Sequence, residues 1–343
     1  MNPGLSFTFD PHAAAWDAFV AAQPGSTFFQ RAGWREVMKN AYSHKSHFLA
    51  AVREGAIVGV LPLVEINSPL FGHSLISTAF CTGGGPLAVD VEARDGILEQ
   101  AEQLGNKLGV DYIEIRDAIS VGRAWVPKEG IYFGFERKIA AAEDECLKQI
   151  PRKQRAVVRK TLEGKLAFKI ERDVSNFYAL HTRTFRNHGT PVFPKRFYEN
   201  LVQVFGADCD ILTVFDGAMP VSSVLSYYTK DRVTPYFTGS VSAARELGSN
   251  DFMYWKLMRH AVARGCSEFD FGRSKVDTGP FSFKKNWGFE PRPMINWYYL
   301  VRGKSLPNMS PTNPKFSAAI KVWQSLPLPV ANFLSQFVSP SLG

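Results

Sequence analysis

The chain has 343 residues, a formal net charge of +8 and 13% aromatic residues, with 27 Phe. That length allows two domains, each with its own core, and no run approaches the roughly 20 apolar residues of a membrane-crossing helix. The four cysteines, Cys81, Cys146, Cys209 and Cys266, are scattered, which excludes a disulfide scaffold and a cysteine zinc site. The histidines show no metal spacing, so no metal is expected. The opening residues, MNPGLSFTFDPHAAAW, lack a basic stretch followed by an apolar one, so no secretory leader is read and a cytoplasmic protein is expected. The excess of Lys and Arg favours anionic partners: RNA, phosphate-bearing sugars or an anionic membrane surface.

The first elements predicted are an amphipathic helix over 29–40, a strand over 46–54, a turn at Gly55 and a strand over 57–66. A further strand near 75–81, the glycine-rich loop TGGGP (82–86), a helix over 93–109 and a strand over 111–117 follow. The order then recurs. A helix over 195–205 precedes strands 209–217 and 219–229, joined by an Asp-Gly turn. A strand over 232–240, a loop, a helix over 250–266 and a strand over 267–273 complete the second set. Both sets end with a helix, a glycine near its C-cap, and a strand carrying an acid and an arginine. The fold class is therefore α/β (α+β), in two halves related by internal duplication.

Between the halves lies the densest basic run, ECLKQIPRKQRAVVRKTLEGKLAFKI (145–170). Helical spacing puts Arg152, Arg155 and Arg159 on one face, with Val158 and Leu162 on another. Such a face grips a diphosphate or tRNA phosphates, or is simply solvated. After residue 303 a Pro/Asn/Ser linker leads to a tail with apolar residues at helical spacing. It reads as helical turns packed on the body, or as an amphipathic contact with a membrane or partner. The domains expected are 1–144, 145–303 with the active cleft, and a linker and tail over 304–343.

Residues 269–291, FDFGRSKVDTGPFSFKKNWGFEP, gather cations, aromatics and turn residues at a strand end. Period-two alternation puts Phe269 and Phe271 toward the core and Asp270 toward a cleft or solvent. There Asp270 can relay an amine proton or pair with Arg273 and fix the turn. Arg273 and Lys275 read as anion contacts or surface salt bridges. Tyr236, on the strand 232–240, is a candidate for stacking on the acceptor or for core packing.

The segments PRKQRAVVRKTLEGK, FYALHTRTFRNHGTPVFPKRFYENL and FDFGRSKVDTGPFSFKKNWGFEP resemble the FemAB-like peptidyltransferases, acyltransferases with a duplicated GNAT-type fold. Within that group the chain is most similar to the FemAB-related proteins that accompany bacterial exosortase/PEP-CTERM and exopolysaccharide systems. The likeness runs over residues 25–303, and it implies two tandem GNAT-like domains. It also implies transfer from aminoacyl-tRNA or from an acyl-CoA-like donor, with no tightly bound cofactor. The charged coiled-coil arm of some tRNA-using members has no counterpart in the sequence. By the resemblance, Lys284 lies near the reacting carbonyl, where its ammonium stabilises an oxyanion and Phe283 and Trp287 limit water. The stretch 240–251 takes the place of the GNAT pyrophosphate loop, which makes Arg245, Gly248 and Asn250 donor contacts or a simple capped loop.

The function expected is therefore an aminoacyl or acyl transferase forming an amide on an envelope or exopolysaccharide precursor, by direct transfer. Its acceptor would be anionic, lipid-linked or nucleotide-linked, with tRNA and the inner membrane face as further partners. The alternatives are an acyl-CoA-dependent N-acetyltransferase of a small amine and a non-catalytic protein that binds an anionic polymer.

Overall fold

The structure is a computed structural model and describes residues 4–69, 71–117, 121, 124–303, 305–307 and 314–343. In chain order the first strands are β1 (Leu5–Phe9), β2 (Ser46–Arg53), β3 (Ala56–Ser68), β4 (Gly72–Ser77), β5 (Leu87–Ala88), β6 (Tyr112–Ile115) and β7 (Val126–Lys138). They are followed by β8 (Leu166–Glu171), β9 (Cys209–Asp216), β10 (Met219–Thr229), β11 (Arg232–Ser240), β12 (Glu268–Lys275) and β13 (Pro291–Leu300). The helices begin with α1 (Ala13–Ala22), α2 (Gly33–Tyr42), α3 (Val91–Leu108), α4 (Glu143–Lys148), α5 (Arg152–Leu162) and α6 (Ser175–His188). The remaining ones are α7 (Lys195–Phe205), α8 (Ala244–Leu247), α9 (Ser249–Ala263), α10 (Gly279–Asn286), α11 (Pro314–Ser325) and α12 (Leu328–Val338).

Two compact units divide the chain. The first holds Met1–Ile131, Met294–Met309 and Phe337–Gly343; the second holds Tyr132–Pro293 and Ser310–Gln336. The division falls at 131/132, inside β7, whereas the sequence suggested 144/145, and most of β13 groups with the first unit although it follows the second in the chain.

In the first unit the strand order is β1-β2-β3-β4-β6-β13, with β5 beside β3. All neighbours are antiparallel except β4 and β6, which are parallel. Helix α3 starts at Asp90, whose carboxylate accepts from the Ala93 amide, and ends at the left-handed Gly109. Its Ala93, Ile97, Leu98 and Ala101 pack with Leu49, Leu61, Leu63 and Ile113 of the strands. The predicted helix over 29–40 is split. Thr27 and Gln30 close a capping box around a short 3₁₀ turn, Phe28–Gln30, and α2 begins only at Gly33.

The second unit repeats the pattern in the order β7-β12-β11-β10-β9-β8, with β11 and β12 as the parallel pair. Its core joins Leu212, Val214, Val224 and Val233 of the strands to Phe252, Trp255, Leu257 and Met258 of α9. Helix α6 packs on β10 and β11 outside that cluster, and α11 packs on α6. The two units thus share one sequence of strand pairings, which is the duplication the sequence suggested. Among the described residues no helix is long and apolar enough to cross a membrane.

Candidate active site

In the second unit the ladder between the two parallel strands is short. β11 and β12 pair only at Arg232–Glu268 and Val233–Phe269, the first residues of the ladder. Toward their C-terminal ends each strand holds a bulge. Tyr236 is the extra residue of β11 opposite Leu225 and Ser226, and β12 slips by one residue against β7 between Asp270 and Arg273. Bulges of this kind re-aim a strand and end its pairing. The diverging edges offer backbone groups to an extended ligand in place of a neighbouring strand.

The β12 bulge is held from two sides. Gly272 takes φ +67°, a left-handed conformation that costs a residue with a β-carbon about 1 kcal/mol. Its amide donates to Asp270 Oδ1 at 2.9 Å. From α10, Lys284 Nζ donates to the carbonyls of Gly272 and Arg273 at 3.1 and 3.0 Å. The predicted residues Asp270 and Lys284 therefore meet at one glycine. Asp270 does not take the expected pairing with Arg273, whose guanidinium instead stacks on Tyr132, 4.4 Å from the ring centroid.

Lys284 is 8% exposed, and its ammonium sits 5.4 and 5.6 Å from the ring centroids of Phe135 and Phe271. Burial lowers its pKa to about 7, with Asp270 opposing that shift and Arg273 adding to it. Burial likewise raises the Asp270 carboxyl, while the Gly272 amide, Arg232 and Lys284 pull it back. An ammonium held by two carbonyls, near neutrality in its titration, has a third N–H for a developing oxyanion.

Behind the lysine an aromatic wall forms. Tyr254 of α9 lies 4.6 Å from Phe271, 5.7 Å from Phe283 and 6.3 Å from Trp287, between ring centroids. Its hydroxyl bonds the side chain of Thr238 on β11, and burial pushes its pKa far up. Trp287, expected to contact substrate, is fully buried. Its indole N–H donates to Asp251 Oδ1 at 3.0 Å, so it braces α10 against the start of α9. Phe283 is partly buried against the same core. Tyr236 is half-buried, 5.3 Å from Tyr227 and 4.7 Å from Phe237. Lys275 ends β12, half-buried.

The basic helix forms as predicted. Arg152, Arg155, Arg159 and Lys160 line one depression of about 500 Å³ with Ala156 and Glu163. Val158 and Thr161 are buried on the other side. The Arg155 Nε is buried without a hydrogen-bond partner, a group suited to an anion. Helix α5 packs on α9: Gln154 donates to Asp251, and the Thr161 methyl leaves no room for a β-carbon on Gly248. The structure thus brings the cationic helix to the element that carries the donor-loop candidates. Gly248 is the left-handed cap before α9, Asn250 lies half-buried in its first turn, and Arg245 is exposed on α8.

The matching position of the first unit is closed. There β4 and β6 pair over three positions, Ser74–Ile76 with Tyr112–Glu114, and Ser77 Oγ accepts from the Arg116 amide at 2.9 Å. Arg116 pairs with Glu114 at 3.0 Å, both under 10% exposed, and also donates to the Cys81 carbonyl. One copy has its acid and arginine locked together; the other spends them on opposite sides of a bulge. Tyr254, Thr238 and Asp251 escaped the sequence reading. The only hint was that Asp251 and Tyr254 lie three apart on one helix, a spacing equally common in a plain core.

Residues 145–285 match the model of an acetyltransferase (GNAT) domain. No curated protein matches the chain in sequence. Among solved structures the chain is similar to FemX, with a TM-score of 0.69 and 17% identity over 92% of this chain and 100% of that one. It is also similar to a tandem GNAT protein from the clavulanic acid biosynthesis pathway, with a TM-score of 0.57 and 11% identity over 88% and 100%. L-PGS from Bacillus licheniformis is similar at a TM-score of 0.52 and 11% identity over 86% and 96%. At such identities the likeness is one of fold. The chain has the mixed α/β fold of FemX and of tandem GNAT proteins, and residues 145–285 are similar to a GNAT acetyltransferase domain.

Proposed function

We propose that this protein is an acyltransferase that forms an amide by direct transfer in its second unit. The carrying observation is the parting of β11 and β12, with the buried Lys284 ammonium fixed where the strands have separated. An acyl chain enters the gap and takes backbone hydrogen bonds from the strand edges. The acceptor nitrogen attacks the carbonyl carbon, a C–N bond forms, and the bond to the donor's sulfur or oxygen breaks. Lys284 stabilises the oxyanion of that step, and the amine proton leaves through Asp270 or solvent. The arginines of α5 hold donor or acceptor phosphates.

The donor we favour is an aminoacyl-tRNA and the acceptor an envelope or exopolysaccharide precursor, a reading supported by the likeness to FemX and the basic α5 face. A second reading, an acyl-CoA-dependent N-acetyltransferase, is favoured by the GNAT match over 145–285. Thermal-shift titration separates them. Stabilisation by a charged tRNA and by nucleotide-linked sugars, but not by acyl-CoA, supports the first. Stabilisation by micromolar acyl-CoA supports the second. Response to anionic polymers alone, with aminoacylated and deacylated tRNA acting alike, contradicts both.

A further inference from the structure

Helix α12 is mounted with its large apolar residues outward. At 100° per residue, Val330, Phe333, Leu334 and Phe337 form one stripe, and they are 42%, 59%, 38% and 69% exposed. The face turned to the protein is small: Ala331 and Ser335 are buried, and Ser335 Oγ accepts from the Val192 amide at 3.1 Å. A surface helix ordinarily buries the broad apolar stripe and exposes polar residues. Val322 of α11 adds a further exposed apolar side chain, 62% exposed.

The surroundings are positive. Helix α11 carries Lys321, and α6, α7 and the turn between them carry Arg183, Arg186 and Arg196, while Lys195 pairs with Glu199 at 3.6 Å. Helices α11 and α6 are packed together. Arg186 donates to the Gln324 carbonyl at 3.1 Å, and Gln324 donates to the Asn187 carbonyl at 3.0 Å. Lys321, Arg183 and Arg196 are exposed.

We propose that α12 is an interfacial anchor that seats the protein on an anionic lipid bilayer. Its Phe, Leu and Val side chains enter the boundary between headgroups and acyl chains, and the neighbouring cations face lipid phosphates. The helix has 11 residues, enough to lie in the interface and too few to span it. A second copy of the chain would also cover an apolar stripe, but two like-charged surroundings would then be brought together. This inference does not rest on the acyl-transfer reading.

The test is flotation of the full chain with phosphatidylcholine vesicles, with and without about one-third phosphatidylglycerol. Binding is expected on the anionic vesicles at low salt, and about tenfold less on the neutral ones. The pair Phe333→Ser with Phe337→Ser is expected to lose about tenfold in binding at an unchanged melting temperature. Lys321→Glu with Arg183→Glu is expected to abolish the anionic preference. Three results would overturn the proposal: no flotation, flotation indifferent to the serine pair, or a dimer on a sizing column that the serine pair makes monomeric.

Discussion

Lys284 holds a bulge, and in the proposed transfer the same side chain meets the reacting carbonyl. Its two bonds to the carbonyls of β12 fix the strand end, and burial places its pKa at about 7. In the unfolded chain it titrates near 10.5. Between these values the unfolded state binds a proton that the native state lacks, so stability rises as pH increases from about 7 toward 10.5. The slope from one group is at most about 1.4 kcal/mol per pH unit. Lys284→Met is expected to flatten that rise, read as melting temperature between pH 7 and 9. Because the ammonium is the form that stabilises an oxyanion, the lysine's contribution to transfer should fade above pH 7. Gly272→Ala meets no atom closer than the Pro235 carbonyl oxygen at 4.0 Å. It should therefore cost only the backbone term, about 1 kcal/mol in denaturant unfolding.

At the scale of elements, α6 is fastened to β11 by contact and by hydrogen bond. A β-carbon on Gly239 would lie 2.3 Å from the His181 amide nitrogen, so Gly239→Ala must push helix from strand. We expect a loss of roughly 3 kcal/mol in the same unfolding measurement. His181 is fully buried, between the Thr238 carbonyl and the Tyr198 hydroxyl, both at 2.7 Å. Burial lowers its pKa to about 4 from 6.5. Between those values only the unfolded state is protonated, so stability falls as pH drops from 6.5 to 4. In His181→Gln that part of the acid loss should vanish from the pH dependence of melting.

The strands 46–53, 209–216, 219–229 and 232–240 were legible because their apolar runs are bounded by turn residues. So was α5, whose charge pattern has a helical period. Helix α10 was not, since its sequence, GPFSFKKN, opens with two residues usually read as turn. Pro280 instead occupies the first turn of the helix, where its missing N–H is harmless. Strand β13 was hidden for another reason: its partner, β6, is 182 residues away at Asn296 and Glu114, and no local pattern reports that. At the β12 bulge, Asp270 was singled out by residue type and alternation, and Lys284 by the resemblance. The parting of β11 and β12 and the burial of Trp287 are tertiary facts.

For the whole molecule, the duplication has a consequence in how the chain can be cut. The first unit takes its sixth strand, β13, from beyond the second unit, through pairs such as Trp297–Ile115 and Tyr299–Ile113. The second unit takes its own, β7, from before 144, through pairs such as Phe269–Arg137. Fragments 1–144 and 145–343 therefore each leave a sheet edge open. Neither is expected to unfold cooperatively when expressed alone, judged by circular dichroism and melting, whereas the full chain should. The most direct test is transfer of a labelled acyl or aminoacyl group to an amine acceptor by purified protein. The predicted result is transfer by the wild type, reduced by about 100-fold or more in Lys284→Met with donor binding retained. Transfer at the wild-type rate by Lys284→Met would contradict it.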